Sequence, residues 1–363
     1  MAPPEIVDTH EEAAGLELAP LLIRSPVQAF LDEHGIGSGP IEAERVGEGH
    51  SNITYLVRRE GAEVVLRRPP RPPLPPSAHD VLREARLLSA VGDAAVRTPA
   101  VLCTCADESL IGVPFYVMEK VEGIVITEQI PNQLDSPDQR ALIAEELIDA
   151  LVEVHAVDWR ACGLEGFGKA TGYLERQLRR FNGLWEHNKT RELAPVQEVA
   201  DWLATNRPEQ PEATIVHGDF RLGNTMFGLG LPARLVAIFD WELATIGDPL
   251  ADLGYLTITW SEPGDEETMG TMFSQLGGVT RGEGFPDRDG LIALYAERSG
   301  RSVSDLRWYQ ALALWKAAVF MEGNYKRSLA GTTDDPFLAM LDGAVPALAD
   351  AALSITRRPL RES

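Results

Sequence analysis

Lysine is scarce in this 363-residue chain: five of its 33 basic residues are lysine, and none precedes Lys120. A site in the first third of the chain that needs a cation must therefore use arginine, which differs from lysine in shape and hydrogen bonding. Cysteine is scarce as well, and an odd total excludes a fully paired disulfide framework. Cys103 and Cys105 lie in an apolar run, which predicts buried small side chains rather than a metal or redox pair.

Positive charge is in deficit: 55 acidic residues stand against 33 basic ones, a formal net charge of −22. Phosphates would be repelled over most of such a surface, so we expect no nucleic-acid or membrane partner. Long apolar runs are also missing, since none approaches the roughly 18 residues of a membrane helix. No basic-then-apolar leader opens the sequence. We therefore expect a cytoplasmic protein.

The length and the residue patterns of the sequence predict two main domains. At roughly 150 residues per domain, the chain suggests about two. The first part has short β-like runs with β-branched residues, and the part after Gly123 is mainly helical. We therefore predict an α+β fold that consists of a flexible acidic arm, a small antiparallel β-rich lobe, a larger mainly helical lobe and a tail, over residues 1–25, 26–121, 122–355 and 356–363.

The β-rich lobe is predicted to contain a hairpin. The runs 53–57 and 64–66 read as strands with Gly61 at the turn. Strand alternation places Val65 and Arg67 on one face and the neighbouring Leu66 and Arg68 on the other. Helical spacing of apolar residues predicts helices over 81–88, 135–157, 173–187, 194–205, 249–260, 287–298 and 303–328.

Two apolar runs in the second lobe end in polar groups. These are residues 216–224 (VHGDFRLGN) and 238–242 (IFDWE). Phosphoryl transfer needs a carboxylate that orients the acceptor hydroxyl and takes its proton, together with oxygen ligands for magnesium on the nucleotide phosphates. Asp219, Asn224 and Asp240 are the residue types for that task. The interval of five from Asp to Asn equals the spacing in the protein-kinase catalytic loop.

Several neighbouring polar residues are predicted to support this site rather than to react. We expect the imidazole of His217 to stabilise the loop, and His155 to make a satisfied core contact at the end of a helix. Asp248 and Asp252, on either side of Pro249, fit the start of a helix and are expected to stabilise it. Glu242 is either a second metal ligand or a residue of the outer shell, and the sequence leaves both open.

The two motifs together resemble the signature of the aminoglycoside-phosphotransferase-like family of kinase-fold enzymes, over roughly residues 30–330. The resemblance implies a protein-kinase-like two-lobed fold, a nucleotide such as ATP, Mg²⁺ and a small-molecule hydroxyl acceptor. It implies that Asp219 is the catalytic residue, and that Asn224 and Asp240, with Glu242 as the open case, bind the metal. It does not indicate whether the protein is a monomer or a homodimer.

The resemblance also implies a nucleotide-binding set in the first lobe. A glycine loop would cover the phosphates, a strand cation would pair with a helix glutamate, and a hinge would hold adenine. These residues are Gly47, Gly49, Ser51, Asn52, Arg67, Glu84, Glu119 and Val121. The strand cation is normally lysine. Since no lysine precedes Lys120, we expect Arg67 to make the phosphate contact.

The acceptor is less well defined by the sequence. Residues 66–70 (LRRPP) and the helix 303–328 resemble a branch of the family related to the kinase-like domains of acyl-CoA dehydrogenase fusions. That branch implies a hydroxyacyl-CoA acceptor. The net charge of −22 would instead favour a cationic aminoglycoside. A third interpretation is a nucleotide-binding pseudokinase, which the missing lysine favours and the intact Asp219 disfavours.

Overall fold

The chain divides into two units, Met1–Glu122 and Gly123–Ser363. The computed structural model describes residues 4–47, 52–72, 79–210, 212–265, 277–331, 338 and 340–358. Two of the predicted nucleotide-binding residues, Gly49 and Ser51, lie outside this part of the chain. Within it, no helix has both the length and the apolar character needed to cross a membrane.

An antiparallel five-stranded sheet forms the centre of the first unit. In spatial order its strands are β3 (Ser38–Val46), β4 (Ile53–Glu60), β5 (Ala62–Arg68), β7 (Phe115–Glu119) and β6 (Val101–Cys105). The predicted hairpin is confirmed as β4 and β5, and Gly61 at the turn has a φ of +77° that favours glycine. Helix α3 (Val81–Asp93) follows β5, with the Asp80 carboxylate accepting a hydrogen bond from the Arg83 amide.

The two faces of β5 have different surroundings. Val64, Leu66 and Arg68 are buried, whereas Val65 and Arg67 are only partly buried, so the predicted alternation is confirmed. The core beneath the sheet also contains Cys103 and Cys105, which are buried free thiols. This placement confirms their interpretation as small core side chains.

The segment before the sheet is ordered. Strand β1 (Ile6–Val7) pairs in parallel with β2 (Leu22–Ile23), and they flank helix α1 (His10–Ala14); helix α2 (Arg24–Glu33) follows β2 directly. The expectation of a flexible arm over residues 1–25 is therefore wrong for residues 4–25. Its apolar pieces are too short to show a periodicity, and they become strands only because they pair with each other and pack into the core of the first unit.

A buried arginine stabilises this segment. Arg68, at the end of β5, is 1% exposed and donates hydrogen bonds to the carbonyl oxygens of Leu21 and Pro69. Buried carbonyl groups need such donors because they have lost their contact with water. Arg68 therefore joins the N-terminal segment to the sheet.

The second unit is mainly helical. Its helices are α4 (Pro137–Ala156), α5 (Tyr173–Asn188), α6 (Ala194–Thr205), α7 (Leu250–Thr259), α8 (Arg288–Ser299), α9 (Leu306–Leu329) and α10 (Leu341–Arg357). Six of these confirm the predicted helices of this lobe to within a few residues. Helix α10 reaches Arg357, so the expectation of a loose tail from residue 356 is wrong for its first two residues.

Two small antiparallel sheets lie among these helices. One has the order β11-β10-β8, formed by Leu235–Ile238, Thr225–Phe227 and Ile124–Val125. The other pairs β9 (Thr214–Val216) with β12 (Thr245–Gly247). The two apolar runs that precede the candidate catalytic residues therefore belong to different sheets. Side-chain and backbone hydrogen bonds must bring their ends together.

Replacing Arg68 by alanine should lower the free energy of unfolding by about 2–4 kcal/mol, because the buried carbonyls of Leu21 and Pro69 would lose their donor. Arg71→Ala is the matched control: Arg71 donates to Ala19 of the same segment from a more exposed position, so its loss should cost clearly less. Urea unfolding monitored by circular dichroism measures both. Equal losses for the two variants would contradict the role assigned to Arg68.

Candidate active site

Three of the predicted nucleotide-binding residues meet in the first unit. Arg67 Nε on β5 lies 3.0 Å from Oε2 of Glu84, which α3 contributes from a position 3% exposed. Asn52, just before β4, donates from Nδ2 to the same oxygen at 3.4 Å. The cation that pairs with the helix glutamate is therefore an arginine.

The first lysine of the chain is engaged elsewhere. Lys120 Nζ lies 2.6 Å from carboxylate oxygens of both Glu63 and Glu122. All three side chains are at least a quarter exposed, so this is a surface network just after β7. It is distinct from the Arg67–Glu84 pair, which β5 and α3 contribute.

The other predicted nucleotide-binding residues lie at strand ends. Gly47 follows β3 with a φ of +79°, and Val121 follows β7. Glu119 ends β7, where its amide donates to the Ala100 carbonyl at 2.9 Å and its carboxylate accepts from the Ala100 amide at 3.0 Å. Hydrogen bonds among the described residues do not join these three positions to Glu84.

The predicted catalytic loop of the second unit follows β9. It turns at Gly218, whose φ is +88°, and a Cβ at this position would lie 2.9 Å from the Leu243 carbonyl oxygen. Both the backbone conformation and the close approach therefore require glycine. The turn directs the chain from the end of β9 to Asp219.

His217 stabilises this loop. Its Nδ1 accepts a hydrogen bond from the Asp219 amide at 3.2 Å, so the proton of the neutral ring is on Nε2, which donates to the Phe239 carbonyl at 2.9 Å. His217 is fully buried. Its predicted supporting role is confirmed, and the imidazole joins the catalytic loop to the end of β11.

Asp219 and Asn224 are in direct contact. Nδ2 of Asn224 donates to the backbone oxygen and to Oδ2 of Asp219, both at 2.8 Å. Because both amide hydrogens are used, Oδ1 is left as the oxygen through which Asn224 can bind a cation. Nε of Arg221 lies 3.9 Å from the other carboxylate oxygen, and Asp219 is 23% exposed. The carboxylate therefore remains accessible to a hydroxyl.

The register of β10 and β11 places Asp240 beside Asn224. Thr225 pairs with Ile238, and the Phe239 amide donates to the Asn224 carbonyl at 2.8 Å. The next residue, Asp240, has a left-handed backbone with φ 64° and ψ 56°, a conformation that aspartate tolerates better than most residues. Glu242 lies on the single helical turn that follows.

These residues fit a magnesium ion that nucleotide phosphates help to bind. Among the described residues, no group of three or more His, Cys, Asp or Glu side chains could hold a metal by itself. Mg²⁺ commonly takes one or two protein oxygens and completes its shell with phosphates and water. The Asn224 Oδ1 and the Asp240 carboxylate supply such oxygens, and the geometry leaves the role of Glu242 open.

A buried carboxylate on α7 supports the catalytic loop. Asp252 is 0% exposed and accepts hydrogen bonds from the amides of His217 and Gly218, each at 2.7 Å. His155 donates to it from Nε2 at 3.2 Å, and the Tyr295 hydroxyl donates to Nδ1 of His155 at 2.7 Å. The sequence predicts a satisfied core contact for His155, which is confirmed, but it does not reveal the direct bonds from Asp252 to the loop.

The charge states follow from this chain of hydrogen bonds. Burial lowers the pKa of His155, which keeps the ring neutral. Burial alone would raise the pKa of Asp252, but hydrogen bonds from His155 and from backbone amides hold that pKa below its ordinary value. The loop amides therefore meet an ionised acceptor at neutral pH.

Asp248 has a different environment. It accepts hydrogen bonds from the Leu250 amide at 3.1 Å and from the Tyr309 hydroxyl at 2.6 Å. Burial raises its pKa to about 6. This residue stabilises the start of α7, as predicted, while Asp252 acts on the catalytic loop.

The sequence interpretation missed one residue at the site, Tyr255 on α7. Burial raises the pKa of Tyr255 well above its ordinary value, and so does the nearby charge of Asp219. Tyr255 therefore presents a neutral hydroxyl to the candidate catalytic carboxylate. Its spacing of three from Asp252 places both on one side of a helix, and that signal could have identified it.

Comparison with known proteins agrees with this geometry. The model of the phosphotransferase enzyme family APH matches residues 42–291. The chain belongs to this phosphotransferase family. The family resemblance and the kinase-like α+β fold expected from the sequence are thereby confirmed.

Among curated proteins, the chain is similar to acyl-CoA dehydrogenase family member 10 of Mus musculus, with 34% identity over 81% of this chain and 27% of that protein. It is also 32% identical to family member 11 of Gallus gallus, over 88% of this chain and 41% of that protein. The chain thus spans less than half the length of these relatives.

Solved structures give the same fold. A candidate aminoglycoside phosphotransferase from Ralstonia eutropha has a TM-score of 0.79 and 29% identity, covering 92% of this chain and 97% of that one. The aminoglycoside phosphotransferase APH(4)-Ia, solved with AMP-PNP and hygromycin B, has a TM-score of 0.57 and 18% identity, with 90% and 98% coverage. The second likeness concerns the fold alone.

Asp252→Asn should destabilise the protein by about 3 kcal/mol or more at neutral pH, because an amide would replace an ionised acceptor and turn N–H groups toward loop N–H groups. Tyr295→Phe, which removes only the outer hydroxyl of the same chain of bonds, should cost about 1 kcal/mol. Calorimetric unfolding measures both variants. A larger loss for Tyr295→Phe would show that Asp252 is not the central acceptor.

Proposed function

We propose that this chain is an ATP-dependent, magnesium-requiring kinase of a small-molecule hydroxyl, with a hydroxyacyl-CoA as the favoured acceptor. The arrangement of Asp219, Asn224 and Asp240 is the observation on which the proposal rests. It brings the partly exposed Asp219 carboxylate into contact with the Asn224 amide, and the register of β10 and β11 places Asp240 two residues after the partner of Thr225. These are the parts that in-line phosphoryl transfer needs.

In the proposed reaction, Asp219 orients the acceptor hydroxyl and takes its proton. The hydroxyl oxygen forms a bond to the γ-phosphorus while the bond from that phosphorus to the ADP oxygen breaks, which yields a phosphoester, ADP and one proton. Asn224 holds Asp219 through Nδ2, and Asn224 Oδ1 with Asp240 would hold Mg²⁺, which neutralises phosphate charge when bound. Arg67, paired with Glu84, would contact the nucleotide phosphates.

The acceptor is supported by the relatives. The curated proteins that match this chain are named as acyl-CoA dehydrogenase family members. A phosphotransferase domain in such a protein would fit an acceptor that is itself an acyl-CoA. The aminoglycoside alternative is supported by the name of the Ralstonia eutropha neighbour and by the net charge of −22. Local chemistry, rather than net charge, must decide between them.

The proposal is tested with ATP and Mg²⁺ across hydroxyacyl-CoAs, aminoglycosides and amino alcohols, with phosphorylated product detected by mass spectrometry. Asp219→Asn should lower kcat by at least about 100-fold and leave the affinity for ATP nearly unchanged, because it removes the proton acceptor and keeps the shape. No phosphorylated product from any acceptor would favour the pseudokinase. If Asp219→Asn lost ATP binding together with activity, Asp219 would instead be a structural residue.

Arg67→Ala should raise the KM for ATP by about tenfold or more, because the phosphates would lose a charged contact. It would also remove the cation that pairs with the buried Glu84, so the double variant Arg67→Met/Glu84→Gln, which removes both charges, separates nucleotide binding from folding. Arg58→Ala is the control, since Arg58 lies on the neighbouring β4 and pairs with the exposed Glu44 and Glu63. Unchanged ATP affinity in the double variant would overturn the assignment of Arg67.

A further inference from the structure

Lys316 is a partly buried cation on α9, which packs against α7, the helix that carries Asp252 and Tyr255. Its Nζ lies 4.9 Å from the centre of the Phe181 ring of α5. Among the described residues it makes neither a hydrogen bond nor an ion pair. A lysine in such a place costs stability, because a charge removed from water is compensated only by a good partner.

Two carboxylates that act on the charge of Lys316 already accept hydrogen bonds from other groups. Asp219 and Asp252 both act electrostatically on Lys316. Asp219 accepts from Asn224 and interacts with Tyr255, and Asp252 accepts from the loop amides. The contact of Lys316 among the described residues is with the face of the Phe181 ring, which leaves N–H donors of its ammonium group for a ligand.

Two further features define the surroundings of Lys316. Arg180, which α5 contributes, has its guanidinium carbon 5.8 Å from the centre of the same Phe181 ring, so a second cation adds to the positive field. Phe320 lies four residues after Lys316 on α9 and is 62% exposed. Residues four apart lie on one helix face. A cation and an exposed apolar side chain are thus neighbours there.

We propose that Lys316, assisted by the field of Arg180, binds a carbonyl or carboxylate oxygen that the acceptor bears near its reacting hydroxyl. The inference rests on the proposed function, because it is Asp219 that places the hydroxyl beside Lys316. Phe320 would contact the carbon chain of the same molecule. The acceptor class is then a hydroxyacyl compound, either a free hydroxy acid or its thioester, and a polycationic sugar would be disfavoured at this position.

The protonation state of Lys316 supports this role. Burial and the charge of Arg180 lower its pKa to about 8, while Asp252 on α7 and Asp219 on the catalytic loop act in the opposite direction. Lys316 is therefore charged below about pH 8 and neutral above it. Affinity for the oxygen should fall as the pH rises through this value.

Binding is measured by calorimetry, with AMP-PNP and Mg²⁺ present so that no turnover is needed. The probes are 3- and 4-hydroxybutyryl-CoA, the corresponding free acids, the matching hydroxybutyl-CoA thioethers, which lack the carbonyl, and kanamycin. Lys316→Met keeps the stem over Phe181 and removes the charge. Lys326→Met is the control, since Lys326 is on the same helix and donates to the His187 carbonyl.

Lys316→Met should weaken the binding of at least one carbonyl-bearing probe by tenfold or more, and should leave the thioethers and the melting temperature unchanged or improved. Loss for the CoA esters alone identifies a thioester carbonyl, and loss for the free acids identifies a carboxylate. Lys326→Met should leave the binding of every probe unchanged. A merely structural lysine would instead lower the melting temperature.

The inference is overturned if Lys316→Met binds every probe as the wild type does, if the wild type binds none of the carbonyl-bearing probes, or if kanamycin binds best. The proposed function fails separately. Carbonyl-dependent binding without any phosphorylated product on addition of ATP would leave the Lys316 site standing and remove the kinase. If the protein phosphorylated an alcohol that lacks a carbonyl, at a rate that Lys316→Met does not change, the kinase would stand and the Lys316 site would be removed.

Discussion

The buried carboxylate of Asp252 is the constraint on which the second unit depends. It accepts from two consecutive amides of the catalytic loop and from His155, and an ionised group in that position is stable only while all its donors remain. Since β9 and β11 belong to different sheets, their ends have little backbone pairing to hold them together. Asp252 on one side and His217 on the other supply that connection, and the positions of Asp219 and Asp240 follow from it.

The polar groups of the site differ in burial according to the role assigned to them. Supporting residues are fully buried and fully bonded, as His217 and His155 are, whereas Asp219 is 23% exposed and Lys316 is only partly buried. The buried hydrogen bonds thus lie behind the loop, and the groups that we assign to ligands remain accessible. Such an arrangement fixes geometry before a ligand arrives, which is the condition for efficient positioning of reactants.

Much of this could be predicted from the sequence, and the exceptions have physical reasons. Strand alternation correctly separated Arg67 from Arg68, and helical spacing located α4 to α9, because long periodic segments report which face is buried. The N-terminal strands were missed because two-residue elements have no period. Tyr255 was missed although its spacing of three from Asp252 was a usable signal. The bonds of Asp252 to the catalytic loop were missed because they join residues far apart in sequence, and a spacing rule contains no information about such contacts.

The Arg67–Glu84 pair has a consequence for the chemical reactivity of the protein. A guanidinium group stays protonated at any physiological pH and is a poor nucleophile, whereas an amine with a pKa of about 8, as at Lys316, is partly neutral under the same conditions. Acylating reagents that modify the strand lysine of ordinary kinases would find no amine at that position here. Burial lowers the pKa of Lys316 to about 8, so an acylating reagent that reaches this amine would label α9, the helix that we propose for acceptor binding, and not the nucleotide side.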